Sequence, residues 1–279
     1  MSSVTVIILT KNEENNIVNC IESVKPFAER IIVIDSFSND KTASLSLNHG
    51  AEIIEHEFET HARQFKYAVK TSNITTKWIL KLDADEWFTQ ESASEIEKLF
   101  NENENTNVNA IMLRFCTIFM GKKIKHGGMY PWRKISAYKN NLGDIEDRNM
   151  DEHIYIYEGL TIKMKKDCIH NWYKGLDFLI QKSNWYANKE VVDYFNDQNN
   201  ENNDNVKRAK TFIKMKLYYR LPCLTRSWLY YIYRYYFRFG FLDGRIGKIY
   251  HFLQAYWYRF LIDAKIFEIK RNNKKKLKK

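Results

Sequence analysis

Asp83 and Asp85 are the residues of this chain whose type and spacing point most directly to chemistry. They lie in Trp78-Ile79-Leu80-Lys81-Leu82-Asp83-Ala84-Asp85-Glu86, where an apolar run that reads as a buried strand passes straight into an Asp-x-Asp pair. Strand alternation points two such carboxylates the same way, within reach of one cation. Hard cations such as Mg2+ and Mn2+ take oxygen ligands and often bridge one or two carboxylates to substrate phosphates. The plain alternative is a pair of solvated acids in a turn; the position directly after a buried strand favours the metal-and-phosphate reading.

The elements that must carry this pair alternate along the first 85 residues. The β-branched run Val4–Leu9 reads as a strand. Polar residues Thr10–Asn12 follow, then a helix with Ile17, Cys20, Ile21 and Val24 at helical spacing, closed by Pro26. Ile31–Ile34 is a second strand ending in Asp35; Asp40 suits the N-cap of a short helix that Gly50 stops. Ala51–Ile54 gives a third strand, and a helix through Arg63–Lys70 leads to the fourth, Trp78–Leu82. Alternation of this kind implies an α/β fold, a mostly parallel sheet with helices on both faces. Such a sheet gathers its chemistry beyond the carboxyl ends of its strands. Three polar clusters are therefore expected to converge: Thr10–Glu13, Asp35–Asp40 and Asp83–Glu86. Residues 88–175 are less regular and read as α+β, with a strand at Ala110–Thr117.

Composition bounds the rest. The chain has 279 residues, 44% of them hydrophobic, enough for a large core. Its net charge of +10 is unevenly spread: residues 205–279 hold 20 Lys/Arg against 3 Asp/Glu, and residues 1–204 hold 24 against 31. The same tail carries 19 of the 42 aromatic residues. An acidic front joined to a basic, aromatic tail suggests a catalytic module and a contact with an anionic surface. Cys20, Cys116, Cys168 and Cys223 form no CxxC pair, and Val4–Leu9 is too short for a signal-peptide core. No run approaches an uncharged membrane span, so a reducing, cytoplasmic setting is expected.

Three motifs, Thr10-Lys11-Asn12-Glu13-Glu14, Asp35-Ser36-Phe37-Ser38-Asn39-Asp40-Lys41-Thr42 and Leu82-Asp83-Ala84-Asp85-Glu86, together resemble family 2 glycosyltransferases of the GT-A fold. The nearest resemblance is to bacterial enzymes that build lipopolysaccharide core or capsular polysaccharide. It covers the first third of the chain and continues more weakly through Arg148–His153, His170 and Gly240-Phe241-Leu242-Asp243-Gly244-Arg245.

The resemblance implies an inverting transfer of a sugar from a nucleotide sugar, UDP-linked by preference, with Mg2+ or Mn2+. Thr10, Asn12, Glu13 and Asp35 would hold the nucleoside, and Arg63 would meet the ring or the phosphates. Asp83 would contact ribose or metal, and Asp85 would bind the metal directly. His170 stands where related enzymes supply a further metal or diphosphate contact. The base that takes the acceptor hydroxyl's proton would be Glu152 or Asp151, since Met150-Asp151-Glu152-His153 departs from the commoner order in this family. The loop His126-Gly127-Gly128-Met129-Tyr130-Pro131-Trp132-Arg133 offers aromatic faces to sugar rings and Arg133 to an acceptor phosphate, or is an ordinary surface turn.

The expected layout is a GT-A domain over residues 1–195, its donor half 1–100 and its acceptor half 101–195. An Asn-rich loop, 196–206, and a helical, basic segment, 207–279, follow. In that segment Arg226, Tyr230, Arg234 and Arg238 recur every four residues, flanked by Trp228, Tyr231, Tyr235 and Phe239, and Lys274–Lys279 extend the charge. A basic stripe edged by aromatics suits an anionic lipid surface. The expected partners are therefore a nucleotide-sugar donor, a lipid-linked glycan acceptor and the inner face of the cell membrane, with no nucleic acid. Two alternatives differ in class. A sugar nucleotidyltransferase would need a Gly-rich loop after the first strand, and no glycine stands between Met1 and His49. A non-catalytic membrane-surface adaptor would have no use for Asp83, Asp85 and Glu152.

Overall fold

A computed structural model of the chain describes residues 2–147, 152–199 and 221–276. The chain forms two compact units, one from residues 1–118 and 131–172, the other from 119–130 and 173–279.

The first unit is built on parallel pairing. In chain order it contains β1 (Val4–Thr10), α1 (Ile17–Val24), β2 (Arg30–Asp35), α2 (Thr42–Asn48), β3 (Glu52–Glu55), α3 (His61–Thr71) and β4 (Trp78–Asp83). These are followed by β5 (Glu86–Phe88), α4 (Gln90–Glu102) and β6 (Val108–Phe119). β1, β2, β3 and β4 pair in parallel in the spatial order β3-β2-β1-β4, so the expected α/β class is the observed one. β1 is buried along its whole length, as a strand covered on both faces requires. One face packs on α1 and α4 through Ile17, Ile21, Val24, Ile96 and Phe100. The other packs on α3 through Ala62, Phe65 and Ala68.

After β7 (Lys122–Ile124) come β8 (Trp132–Lys139), β9 (Gly143–Ile145), β10 (Ile154–Ile156), β11 (Leu160–Lys163) and β12 (Cys168–His170). β8 enters antiparallel between β4 and β6, and β12 lies between β6 and β5. β9 and β10 form a separate two-stranded ribbon.

Two local expectations shift. The short helix α2 begins one residue later than an Asp40 cap would set it, with Lys41 at the cap position. Asp40 still accepts the Thr42 N–H at 3.0 Å, so the acid does the capping from one position further out. β4 ends at Asp83 and the chain turns at Ala84–Asp85, so strand alternation does not carry from Asp83 to Asp85.

The second unit is helical: α5 (Leu176–Asn199), α6 (Thr225–Ile232), α7 (Gly244–His251) and α8 (Tyr258–Lys276), with short π- and 3-10-helical pieces between α6, α7 and α8. α5 packs on α8 through Ala187, Val191, Ile262 and Ile266, and Glu190 ties Tyr258 and Arg259. That packing gathers residues 173–199 with the tail in the second unit. Residues 200–206 of that run lie outside the described residues.

Two of the three arginines of the expected cationic stripe, Arg226 and Arg234, are not surface features, while Arg238 is exposed. Arg226 is buried and grips Asp263 through Nε at 2.8 and 2.9 Å and through Nη2. Arg234 is buried too, donating from Nε to the Gly127 carbonyl at 2.5 Å. A helix carrying cations every fourth residue presents them on one face, and here Arg226 and Arg234 are turned inward onto an acid and a carbonyl. Among the described residues no helix is long and apolar enough to cross a membrane.

Candidate active site

Register alone brings the three polar clusters together. Thr10 ends β1 opposite Asp35, which ends β2, and Leu9 lies opposite Asp83, which ends β4. The loops after these strands are stitched to each other. The Asn12 N–H donates to Ser38 Oγ at 2.8 Å, and the Asn39 N–H donates to Asn12 Oδ1 at 2.8 Å. The Glu13 N–H donates to Thr42 Oγ1 at 2.8 Å. Asn12 sits at φ 54°, a left-handed conformation that asparagine tolerates better than most residues. Asp35 is buried and accepts the Ser38 N–H and hydroxyl at 2.8 and 2.5 Å. Thr10 Oγ1 is buried with no hydrogen-bond partner among the described residues. A nucleoside-sized ligand at these strand ends would meet Thr10 and Asp35 on adjacent strands.

Asp83 and Asp85 are held differently. Lys81 Nζ donates to Asp83 Oδ1 at 3.1 Å, and Lys134 Nζ donates to Asp83 Oδ2 at 3.1 Å. The antiparallel register of β4 and β8, carried three residues beyond Leu80↔Ala137, sets Lys134 opposite Asp83. Lys134 also stands 2.7 Å from Glu86 Oε1, on a carboxyl that is almost fully buried. Burial would raise the Asp83 carboxyl; the ammonium groups of Lys134 and Lys81 outweigh it and hold Asp83 well below the usual carboxylate range. Glu86 goes the other way: burial, reinforced by Asp83 and Asp85, raises it to about 7 against the pull of Lys134. Lys134 is itself pushed upward, because Asp83 and Glu86 outweigh its burial.

Lys81 points a second way. Its Nζ lies 3.7 Å from Glu152 Oε1, so one buried ammonium faces both the end of the fourth strand and the expected base. Asp151, the other candidate base, lies outside the described residues, as do Arg148, Asn149 and Met150.

Asp85 faces β12. The pairing of β12 with β5 sets His170 opposite Glu86, and His170 Nε2 lies 3.8 Å from Asp85 Oδ2. Asp85 Oδ1 is buried with no hydrogen-bond partner among the described residues, an arrangement that is costly unless a cation or donor completes it. Among the described residues no three His, Cys, Asp or Glu side chains converge as a complete metal-ligand set. The donor chemistry nevertheless fits a hard cation that draws its remaining ligands from water and phosphate, with Asp85 and His170 as the protein's share. Trp132 stacks on Phe115 at 4.4 Å and meets His170 edge-on at 5.1 Å, forming an aromatic wall beside the pair.

Arg63 stands apart from this cluster in its contacts: it is exposed on α3 and spends its guanidinium on Glu59 at 2.5 Å and Asp147 at 3.6 Å. The residues to which the sequence assigns no role are Lys81, Lys134 and Glu86. A lysine in the middle of an apolar strand was the available signal for Lys81. Lys134 carried none, because only the strand pairing aims it at Asp83.

Residues 5–156 match the family model described as glycosyl transferase family 2. An uncharacterized glycosyltransferase of Rickettsia typhi is 25% identical over 268 residues, 89% of this chain and 82% of that one. A second, from Rickettsia felis, is 25% identical over 261 residues, covering 89% and 85%. Among solved structures, the glucosyl-3-phosphoglycerate synthase of Mycobacterium tuberculosis, crystallised with Mn2+, uridine diphosphate and glucosyl-3-phosphoglycerate, aligns over 43% of this chain and 45% of that one. The identity is 16% and the TM-score 0.34. With more than half its length under the family model, the chain belongs to glycosyl transferase family 2 and is a glycosyltransferase that draws on a nucleotide sugar.

Proposed function

We propose that this enzyme is a metal-dependent, inverting transferase that passes a sugar, from a UDP-linked donor by preference, to a lipid-anchored glycan in cell-surface polysaccharide synthesis. The observation that carries the reading is the arrangement around Lys81: Asp83 on one side, Glu152 on the other, at the carboxyl end of the strand that delivers Asp85.

Thr10, Asn12, Glu13 and Asp35 hold the base and ribose; a carboxylate suits the imide N–H of a uracil. Arg63 belongs to the donor side only if its exposed guanidinium exchanges Glu59 and Asp147 for phosphate. Asp85 and His170 hold Mg2+ or Mn2+, with Asp83 on the ribose, its charge already matched by two lysines. The bound cation supplies charge stabilisation to the departing diphosphate. Glu152, or Asp151 in its place, takes the proton from the acceptor hydroxyl as that oxygen bonds to the anomeric carbon. The bond from that carbon to the diphosphate oxygen breaks, its electron pair leaves with the diphosphate, and configuration inverts. Lys81, 3.7 Å away, aims Glu152. The residue 1–195 catalytic region and the basic 207–279 segment divide the labour, the latter holding the enzyme at the inner face of the membrane where a lipid-anchored acceptor lies.

A panel of nucleotide sugars, read by nucleoside diphosphate release with and without Mn2+ or Mg2+, tests donor and metal together. Turnover of a UDP-sugar only with metal supports the reading. Absence of both turnover and UDP binding with either metal overturns it.

A further inference from the structure

The face of the second unit that carries α6 and α7 combines three properties. The first is apolar exposure: Trp228, Tyr236, Phe237, Phe239, Phe241 and Leu242 all stand in solvent, Phe237 at 71% and Phe239 at 57%. Large side chains so exposed, six within fifteen residues, mark a surface meant to be covered.

The second is charge of one sign. Between residues 221 and 262 the only acid is Asp243, and it is buried, accepting the N–H groups of Lys125 and His126 and the His126 ring. Arg226 and Arg234 are spent inside. Arg259 pairs with Glu190; the exposed cations of this stretch are Arg238, Arg245 and Lys248, and it holds no exposed acid.

The third is a built corner. The π-helical turn Tyr233–Phe237 runs into Phe239 at φ 59°, a left-handed conformation that is costly for a bulky residue, and then into the 3-10 turn Gly240–Asp243. The corner is pinned from inside. The Gly127 N–H donates to the Arg238 carbonyl at 2.8 Å, and the Leu242 N–H donates to the Phe239 carbonyl at 3.0 Å. Gly240 lies against the His251 ring so closely that a Cβ there would come within 2.7 Å of it. Strain held by this many ties keeps Phe237, Phe239 and Phe241 projecting in place of folding back.

We infer that the corner Tyr236–Leu242 is a preformed wedge that inserts its aromatic side chains into the headgroup boundary of an anionic bilayer, with Arg238, Arg245 and Lys248 on the lipid phosphates. Aromatic and apolar groups with cations beside them are the combination that seats a protein in that boundary. This rests on the proposed lipid-anchored acceptor, and it changes how the membrane is met: by apolar insertion at one corner, not by a stripe of arginines along α6.

The full chain is floated with phosphatidylcholine vesicles containing phosphatidylglycerol, at low and at high salt. Wild type is expected to float with these vesicles and to keep part of its binding at high salt. Phe237→Ser/Phe239→Ser is expected to lose at least tenfold in partitioning at both salts. Arg245→Glu/Lys248→Glu is expected to lose only the salt-sensitive part. Failure of wild type to float, or flotation of the phenylalanine variant like wild type, overturns the inference. So does a concentration-dependent dimer in sedimentation velocity that the same substitution abolishes, which would make a second copy of the chain the occupant. UDP binding and the thermal midpoint are expected to be unchanged in both variants. UDP binding in wild type reports on the donor site independently, so the two readings fail separately.

Discussion

Lys134 reaches Glu86 at 2.7 Å from a strand that runs antiparallel to the one delivering the Asp-x-Asp pair. The same ammonium touches Asp83, so one cation neutralises two acids around a tight turn. Lys134→Met would leave both acids without that partner, and loss of one member of a buried ion pair costs about 3–5 kcal/mol. The denaturant midpoint is expected to fall accordingly, with Glu86→Gln in the same chain restoring part of the loss. A double-mutant cycle showing no coupling between the two positions would contradict the geometry.

Asp85 is expected to behave oppositely. Its Oδ1 is buried without a hydrogen-bond partner among the described residues, so the folded chain gains little from the charge. Asp85→Asn is expected to leave the thermal midpoint unchanged or slightly higher while calorimetric binding of UDP with Mn2+ weakens at least about tenfold. A variant that unfolds would show that the carboxylate serves the turn and not a cation.

Glu152→Gln is expected to lower kcat by about 10²–10⁴, the usual worth of a positioned general base, while UDP affinity stays near wild type. Asp151→Asn, assayed beside it, should retain most activity. The reverse ranking would move the base by one residue. Lys81→Met should lower kcat more than it raises KM, because Lys81 faces Glu152 at 3.7 Å.

Burial, together with the nearby Arg234 charge, pushes His251 down to about 4. The unfolded chain binds a proton near 6.5 that the folded chain refuses until about 4. Stability contributed by the neutral ring is therefore complete above 6.5 and is lost as pH falls towards 4, on the order of 2–3 kcal/mol. Urea midpoints at pH 7 and 4.5 should differ less in His251→Phe than in wild type.

Arg226 separates a structural cation from a membrane one. It grips the buried Asp263, so Arg226→Leu is expected to cost about 3–5 kcal/mol in unfolding free energy. Replacing Asp263 as well, by Asn, should recover part of it. Vesicle flotation of the folded fraction should not change; a loss there would return Arg226 to the lipid surface.

Much of the candidate site was legible in the sequence because its strands are short, buried and parallel. Val4–Thr10, Arg30–Asp35 and Trp78–Asp83 declare themselves by apolar runs ending in polar residues, and parallel pairing aligns their ends. Antiparallel insertions left no such mark. β8 comes from fifty residues downstream of β4, and its lysine meets Asp83 only through strand register. The tail misled for a related reason. A four-residue spacing of cations shows that they share a helix face but not which way the face turns, and Asp263 and the Gly127 carbonyl turned Arg226 and Arg234 inward.

By itself the sequence determined the α/β class, the first four strands along the chain and the polar residues at their ends, because burial and strand period are written residue by residue. Only the tertiary structure decided how those acids are held. Lys81 and Lys134 neutralise Asp83, His170 comes to Asp85, and the aromatic corner faces outward while Arg226 and Arg234 turn inward. These depend on pairings between distant segments, and the free energy of a charge is set by what stands beside it and not by its neighbours in the chain.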